Sequence, residues 1–257
     1  MNPIIDVNVN LSRWPFRRLD CDDTSVLVKK LRQHHVAHAW AGSFDGLLHK
    51  DISSANARLA EECRAHGHGV LLPFGSINPK LPDWEEDLRR CHEKHQMRGI
   101  RLHPNYHGYK LDEPVFAKLL DSAAQRGMIL QLAVMMEDKR TQHPLAQVLP
   151  VDLAPLPDLL KAFPKLKIVL LNSLQGLNGQ LLLRLAATGQ IFFEIATLEG
   201  VGGMGNLIRQ ISASKILFGS HSPFFYFESA LLKMKESALT DSERKSILCE
   251  NARRLLD

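Results

Sequence analysis

Asn8 and Asn10 stand two residues apart at the end of the apolar run Ile4, Ile5, Val7 and Val9, within IIDVNVNLSRWPF. In an extended strand such positions share one face. Two side chains at that spacing can meet one metal ion or one substrate. Neutral amides are poor ligands for a transition metal, so the pair reads as a donor and acceptor of hydrogen bonds.

Other residues with usable chemistry also close apolar runs. They are Ser43 followed by Asp45; Ser76 and Asn78; Arg101 and His103, with His107 beyond; Glu137, Asp138, Arg140 and His143; Asn172; Glu194; and His221. Taken singly, each is ordinarily a satisfied polar group at a strand end. Taken together, buried Arg, Glu and His are costly unless they pair or face a cleft, and their convergence predicts a pocket.

The elements needed to position them can be read along the chain. Short apolar runs suited to buried parallel strands occur at 3–10, 37–43, 70–77, 98–104, 128–135, 167–172, 191–197 and 215–221. Amphipathic helical patterns fall between them at 24–34, 52–66, 84–95, 113–126 and 179–188, and more weakly at 204–213 and 228–237. A last helix over 242–256 has Asp241 or Thr240 as its cap. Gly67, Gly127 and Gly189 each supply a helix stop.

Eight strands alternating with helices over 257 residues predict an α/β fold, a (β/α)8 TIM barrel forming one domain over 1–257. The competing open doubly wound sheet would carry a glycine-rich phosphate turn early in the chain, which is missing. GVGGMGN at 200–206 reads as a flexible loop. In a barrel the chemistry collects at the C-terminal ends of the strands, where the polar residues above fall.

Composition narrows the function classes. The chain is 45% hydrophobic and 23% charged with net charge +4, ordinary values for a globular protein. Its basic residues are dispersed, which argues against nucleic acid as a partner. No apolar stretch approaches the ~20 residues that span a bilayer, so no membrane partner is expected. The first residues lack a basic segment followed by an apolar core, and Cys21, Cys63, Cys91 and Cys249 show no CxxC spacing. Both features lead to the expectation of a reduced, cytoplasmic protein. A small-molecule substrate and a homodimer are the expected partners.

Four segments carry a family resemblance: IDVNVN, GIRLHPNYHGYKLDEP, ILFGSHSPF and the closing ERKSILCENARRLL with Asn251. They resemble the amidohydrolase-related (amidohydrolase 2) group of the amidohydrolase superfamily, a family of metal-dependent hydrolases and decarboxylases on TIM barrels. The resemblance implies His-x-His on strand one, histidines on strands five and six, and an aspartate on strand eight, together holding one or two divalent metals. This chain has Asn8 and Asn10, no histidine in QLAVMMED, Asn172, and His221 at those places. A degenerate metal site is therefore expected, since zinc prefers imidazole, thiolate and carboxylate.

Two functions remain open on these residues. The first is a hydrolase of a small carboxylated or cyclic-ester or amide compound, acting without the usual zinc. Here His221 is the general base, Arg101 holds a substrate carboxylate, and His103 and Glu137 complete the catalytic group. Asn8, Asn10, Arg13, Trp14, His107, Arg140, His143, Asn172 and Glu194 would contact substrate. A relocated divalent metal, zinc if any, would use His103, Glu137, Glu194 and His221. The second is a binding barrel that keeps the pocket but not the reaction, or a decarboxylase of the same group. SRWPFRRLD either covers substrate with Trp14 and Phe16 or packs on the barrel, and SPFFYFE places four aromatics at the pocket or an interface.

Overall fold

In the computed structural model, which describes residues 3–257, eight parallel strands run side by side in chain order. They are β1 Ile4–Leu11, β2 Val36–Ser43, β3 Leu71–Ser76, β4 Gly99–Leu102, β5 Ile129–Ala133, β6 Ile168–Leu171, β7 Ile191–Glu194 and β8 Ile216–Leu217. Val7 N–H donates to Phe218 O at 3.0 Å and Asn10 N–H to Ser222 O at 2.8 Å. These bonds bring β8 back to β1 and nearly close the barrel. The expected TIM barrel is the fold.

Helices α1 Thr24–Gln33, α2 Ile52–His66, α3 Trp84–Arg89, α4 Pro114–Gln125, α5 Leu156–Leu159, α6 Gly179–Ala187 and α7 Gly203–Gln210 lie between successive strands, and α8 Phe227–Lys235 follows β8. Asp23 caps α1 through the N–H groups of Ser25 and Val26, satisfying donors that the first turn leaves free. The closing helix runs through Asp241–Lys245, a π turn at Ser246–Glu250 and Asn251–Leu256. Its cap is Thr240, in a reciprocal box with Glu243. Asn251 Nδ2 donates to Ala213 O at 2.8 Å and Ile216 O at 2.7 Å, tying that helix to the start of β8.

Several boundaries differ from expectation. The last strand is two residues rather than seven, because its ladder with β7 ends at Leu217, while Phe218 and Ser222 still accept backbone bonds from β1. GVGGMGN is not wholly loop: α7 begins inside it at Gly203, after Gly202 turns the chain at φ 67°. Between β5 and β6 the structure has α5 and a turn at Leu160–Ala162 where no helix was read, since Pro150, Pro155 and Pro157 interrupt the periodicity.

One irregularity positions the site. The β1–β2 register shifts between Asp6 and Val9. Below the shift Ile5 and Val7 join Trp40, Phe74, Ile129, Val169 and Leu217 in an apolar cluster, which the closing helix extends with Cys249, Ala252 and Leu255. Above it Asn8 and Asn10 reach across the mouth, as a bulge that re-aims side chains allows. The four cysteines are free thiols. No helix among the described residues is long and apolar enough to cross a membrane.

Candidate functional site

Arg101 is the hub of the barrel interior. Its side chain is fully buried. Nε donates to Gln131 Oε1 at 2.8 Å, across the β4–β5 register pair. Nη1 donates to Val9 O at 2.9 Å and Asn10 Oδ1 at 2.8 Å, and Nη2 to Trp40 O at 3.0 Å. Gly42 makes this possible: a Cβ there would stand 2.7 Å from Nη1. Burial pulls the guanidinium down to about 9, with Asp6 and Glu194 opposing. This corrects the expectation that Arg101 holds a substrate carboxylate: four of its five N–H donors go to β1, β2 and β5, and the side chain is enclosed and does not line the open cavity, so that contact has no access here.

Above Arg101 lies a directed chain of amides. Asn10 Oδ1 accepts from Arg101, so its Nδ2 faces His221 Nδ1 at 3.5 Å. Asn8 Nδ2 donates to Asn172 Oδ1 at 2.8 Å and to Glu194 Oε1 at 3.3 Å. Asn172 Nδ2 donates to Met135 O at 2.8 Å and lies 3.4 Å from His221 Nδ1. His221 Nε2 sits 2.6 Å from Met136 O. A carbonyl only accepts, so Nε2 carries the hydrogen and Nδ1 receives the amides. Burial holds His221 down to about 4, with the bond to Met136 opposing. Asn172 and His221 both adopt left-handed backbone, φ 55° and 56°, an uncommon state for residues other than glycine.

Glu194 is sealed beneath the mouth. Oε1 accepts from Asn172 N–H and Oε2 from Ala196 N–H, each at 2.6 Å. Its pKa is raised by burial, against those bonds. Gly219 leaves it room, since a Cβ there would lie 2.3 Å from Oε2. Asp6 Oδ1 accepts from Asn8 N–H and Ser220 N–H at 3.0 Å, while burial pushes its carboxyl up to about 7.

The open space lies to one side. A cavity of 280 Å³ is lined by Met135, Met136, Glu137, Asp138, Arg140, Asn172, Gln175, Thr197, Leu198, Glu199, His221, Phe225, Ser229 and Lys233, among others. This is near the lower end of ligand cavities, ~300–1,000 Å³. A second hollow of 630 Å³ shares Met135, Asp138, Arg140, Asn172, Gln175 and Glu199. The shared rim is an ion-pair latch: Arg140 bonds Asp138 at 2.5 Å and Glu199 at 2.7 Å. Gln175 donates to both acids at 3.3 Å. Glu137 pairs with Arg17.

The remainder of the mouth is plugged. Trp14 is buried edge-on against Phe44 and Phe224, at 5.3 and 4.9 Å. The segment after β1 therefore packs on the barrel. Phe224 stacks on His221 at 4.9 Å, Phe225 lines the cavity, Phe227 is core, and Tyr226 is exposed.

The remaining candidates are not gathered. His103 is buried with neither ring nitrogen bonded. Burial, with His107 and Arg101 nearby, holds it well below the usual histidine range. His107 Nε2 donates to Gly46 O at 2.8 Å. Arg13 and His143 are exposed and do not line the cavity, and His143 Nδ1 accepts from Leu145 N–H as a local cap. Lys233, Thr197 and Gln175 line the cavity without having been expected. A lysine in a helix carries the pattern of a solvent face, which gives no sequence signal.

The family model described as Amidohydrolase matches residues 14–171. The chain belongs to the amidohydrolase family. The match takes in β2 to β6 and leaves the strand-one and strand-eight motifs outside it. No curated protein matches the sequence. Among solved structures, 2,6-dihydroxybenzoate decarboxylase from Rhizobium is similar at TM-score 0.75 and 17% identity, covering 100% of this chain and 99% of that one. A dihydroxybenzoic acid decarboxylase from a Polaromonas species, with bound manganese and 2-nitroresorcinol, gives 0.73 and 15%, with 100% and 97% covered. The 5-carboxyvanillate decarboxylase from Sphingomonas paucimobilis gives 0.74 and 12%, with 100% and 99% covered.

This amidohydrolase barrel does not present a donor set for the family's metal. No group of three or more His, Cys, Asp or Glu suited to a metal occurs among the described residues. The amide oxygens of Asn10 and Asn172 are taken by Arg101 and Asn8, so their nitrogens face His221. Asn8 Oδ1 is the one amide oxygen of the three left unpaired, and a single neutral oxygen with Arg101 below does not make a donor set for a divalent cation. The relocated set of His103, Glu137, Glu194 and His221 is likewise not assembled, because the last three are held by Arg17, backbone N–H groups and Met136.

Proposed function

We propose that this amidohydrolase barrel binds a small carboxylated molecule in the cavity at the ends of β5 to β8, without the metal chemistry of the family. The observation that carries this reading is His221. Both ring nitrogens are engaged by protein groups, no carboxylate orients it, and burial keeps it neutral. A general base needs a free nitrogen within hydrogen-bond reach of the proton it takes. The apolar walls of Met135, Met136, Leu198 and Phe225 beside polar groups suit a compact, partly aromatic ligand.

A second reading, decarboxylation, is favoured by the solved structures named above, which are described as decarboxylases. Hydrolysis is supported only by the description of the family model. The deciding experiment is thermal shift with benzoate, 2,6-dihydroxybenzoate and 5-carboxyvanillate, followed by assay for released carbon dioxide. Stabilisation without turnover is expected. Carbon dioxide release would establish the second reading, and no stabilisation by any of the three would overturn binding.

A further inference from the structure

Lys233, on α8, reaches from outside the strands to the end of β7. Its Nζ donates to Ile195 O at 3.0 Å and to Ala196 O. An ammonium has three hydrogens, so one remains. Lys233 borders the 280 Å³ cavity and a separate hollow beside α7, and only the first also holds the unpaired Thr197 hydroxyl. Thr197, the residue following those carbonyls, lines the same cavity. It is 6% exposed, and its Oγ1 is buried with no hydrogen-bond partner. A buried hydroxyl left unpaired is costly, which argues for a ligand group there.

The sign of that ligand rests on Lys233 and not on the summed charge of the lining. Glu137 is paired with Arg17, while Asp138 and Glu199 share the single guanidinium of Arg140 on the rim. Lys233 forms no salt bridge among the described residues; its close partners are neutral carbonyls. Glu194, Glu199 and Glu236 act on it only from further away, and burial lowers its pKa despite them. The segment carrying the carbonyls is fixed by the bond from Ala196 N–H to Glu194 Oε2. The anchor is therefore built in before any ligand arrives.

We infer that Lys233 Nζ and Thr197 Oγ1 form the carboxylate anchor of this cavity, receiving one oxygen each from a compact aromatic or aliphatic monocarboxylate. The inference rests on the binding reading above and specifies the contact. It also moves the anchor from Arg101, which is enclosed inside the barrel and does not line the cavity, to a helix outside it.

The test is isothermal titration of the intact chain with benzoate and with benzamide, its neutral counterpart. Lys233→Met is expected to weaken benzoate binding about tenfold or more, as loss of a charged hydrogen bond does, and to leave benzamide unchanged. Thr197→Val is expected to weaken benzoate less. Equal benzoate affinity in wild type and Lys233→Met overturns the anchor and leaves the binding reading standing. Absence of benzoate binding to wild type, alongside binding of a larger carboxylate, overturns the compact monocarboxylate and leaves the binding reading standing. Absence of binding by any carboxylate overturns both.

A variant that does not fold is bypassed on wild type. Reductive methylation mapped by mass spectrometry is expected to slow at Lys233, but not at exposed Lys139, when the carboxylate is bound. Equal labelling of Lys233 with and without ligand overturns the anchor.

Discussion

Asn8 donates to Asn172 across the barrel mouth at 2.8 Å, joining β1 to the end of β6. The positions at which the resemblance implies metal ligands are thus bonded to each other. What such a site recognises is set by which groups are left over beside open space, and those lining the cavity include Thr197 after β7 and Lys233 on α8.

Metal content follows from this geometry. Protein purified without chelator or added metal should carry only sub-stoichiometric zinc or manganese by inductively coupled plasma mass spectrometry. Excess manganese should not raise Tm, whereas a ligand at about 100 times its Kd stabilises by ~2.7 kcal/mol. A stoichiometric ion would refute the account of the asparagines.

Replacing Arg101 with Met should be among the most damaging substitutions in the chain. It strands the carbonyls of Val9 and Trp40 and the side-chain oxygens of Asn10 and Gln131. Each unsatisfied buried acceptor costs ~1–3 kcal/mol, so a loss above 3 kcal/mol in urea denaturation is expected on the order of these terms. Arg101→Lys should also be destabilising, because an ammonium cannot span the same four acceptors.

Asp6 and His221 should pull the pH dependence of stability in opposite directions. The Asp6 carboxyl is raised from 3.8 to about 7 in the folded chain, so its contribution is full below pH 4 and is lost as pH rises towards 7. His221 is lowered from 6.5 to about 4, so its contribution is present above pH 6.5 and is lost as pH falls towards 4. Asp6→Asn should make stability rise more steeply between pH 4 and 7. His221→Gln should make that rise shallower. Urea midpoints at several pH values for the two variants would check both signs.

The latch on the rim should act on kinetics rather than stability. Arg140 is largely exposed, and exposed ion pairs contribute ~0–1 kcal/mol. Glu199→Gln should therefore leave Tm nearly unchanged. By loosening the rim shared by the 280 and 630 Å³ hollows, it should speed carboxylate association in stopped-flow measurements. An unchanged association rate would mean that the latch does not gate entry.

Much of the architecture was legible because two periodicities alternate along the chain. The helix read over 52–66 coincides with Ile52–His66, and the strands occur in the expected order. The apolar runs overstate strand length, as at 215–221, because burial continues past the last ladder bond. The candidate site was less legible. Sequence could place Arg101 and His221 at strand ends but not tell whether their hydrogen bonds were free. That depends on partners distant in the chain, such as Trp40 for Arg101 and Met136 for His221. Lys233 had no signal, because its role comes from the cavity it borders and not from its neighbours in α8.

The guanidinium beneath the asparagines also bears on how reversible this site is. Replacing Asn8 or Asn10 singly with histidine would supply one imidazole but would seat any bound cation near a fixed positive charge, the one that already disfavours the charged form of His221. The incoming ring would also remove a bond on which Asn172 or Arg101 relies. Building an ion-binding centre here would require several replacements at once, with Arg101 among them. In the landscape of single substitutions, the present arrangement is a basin with steep walls.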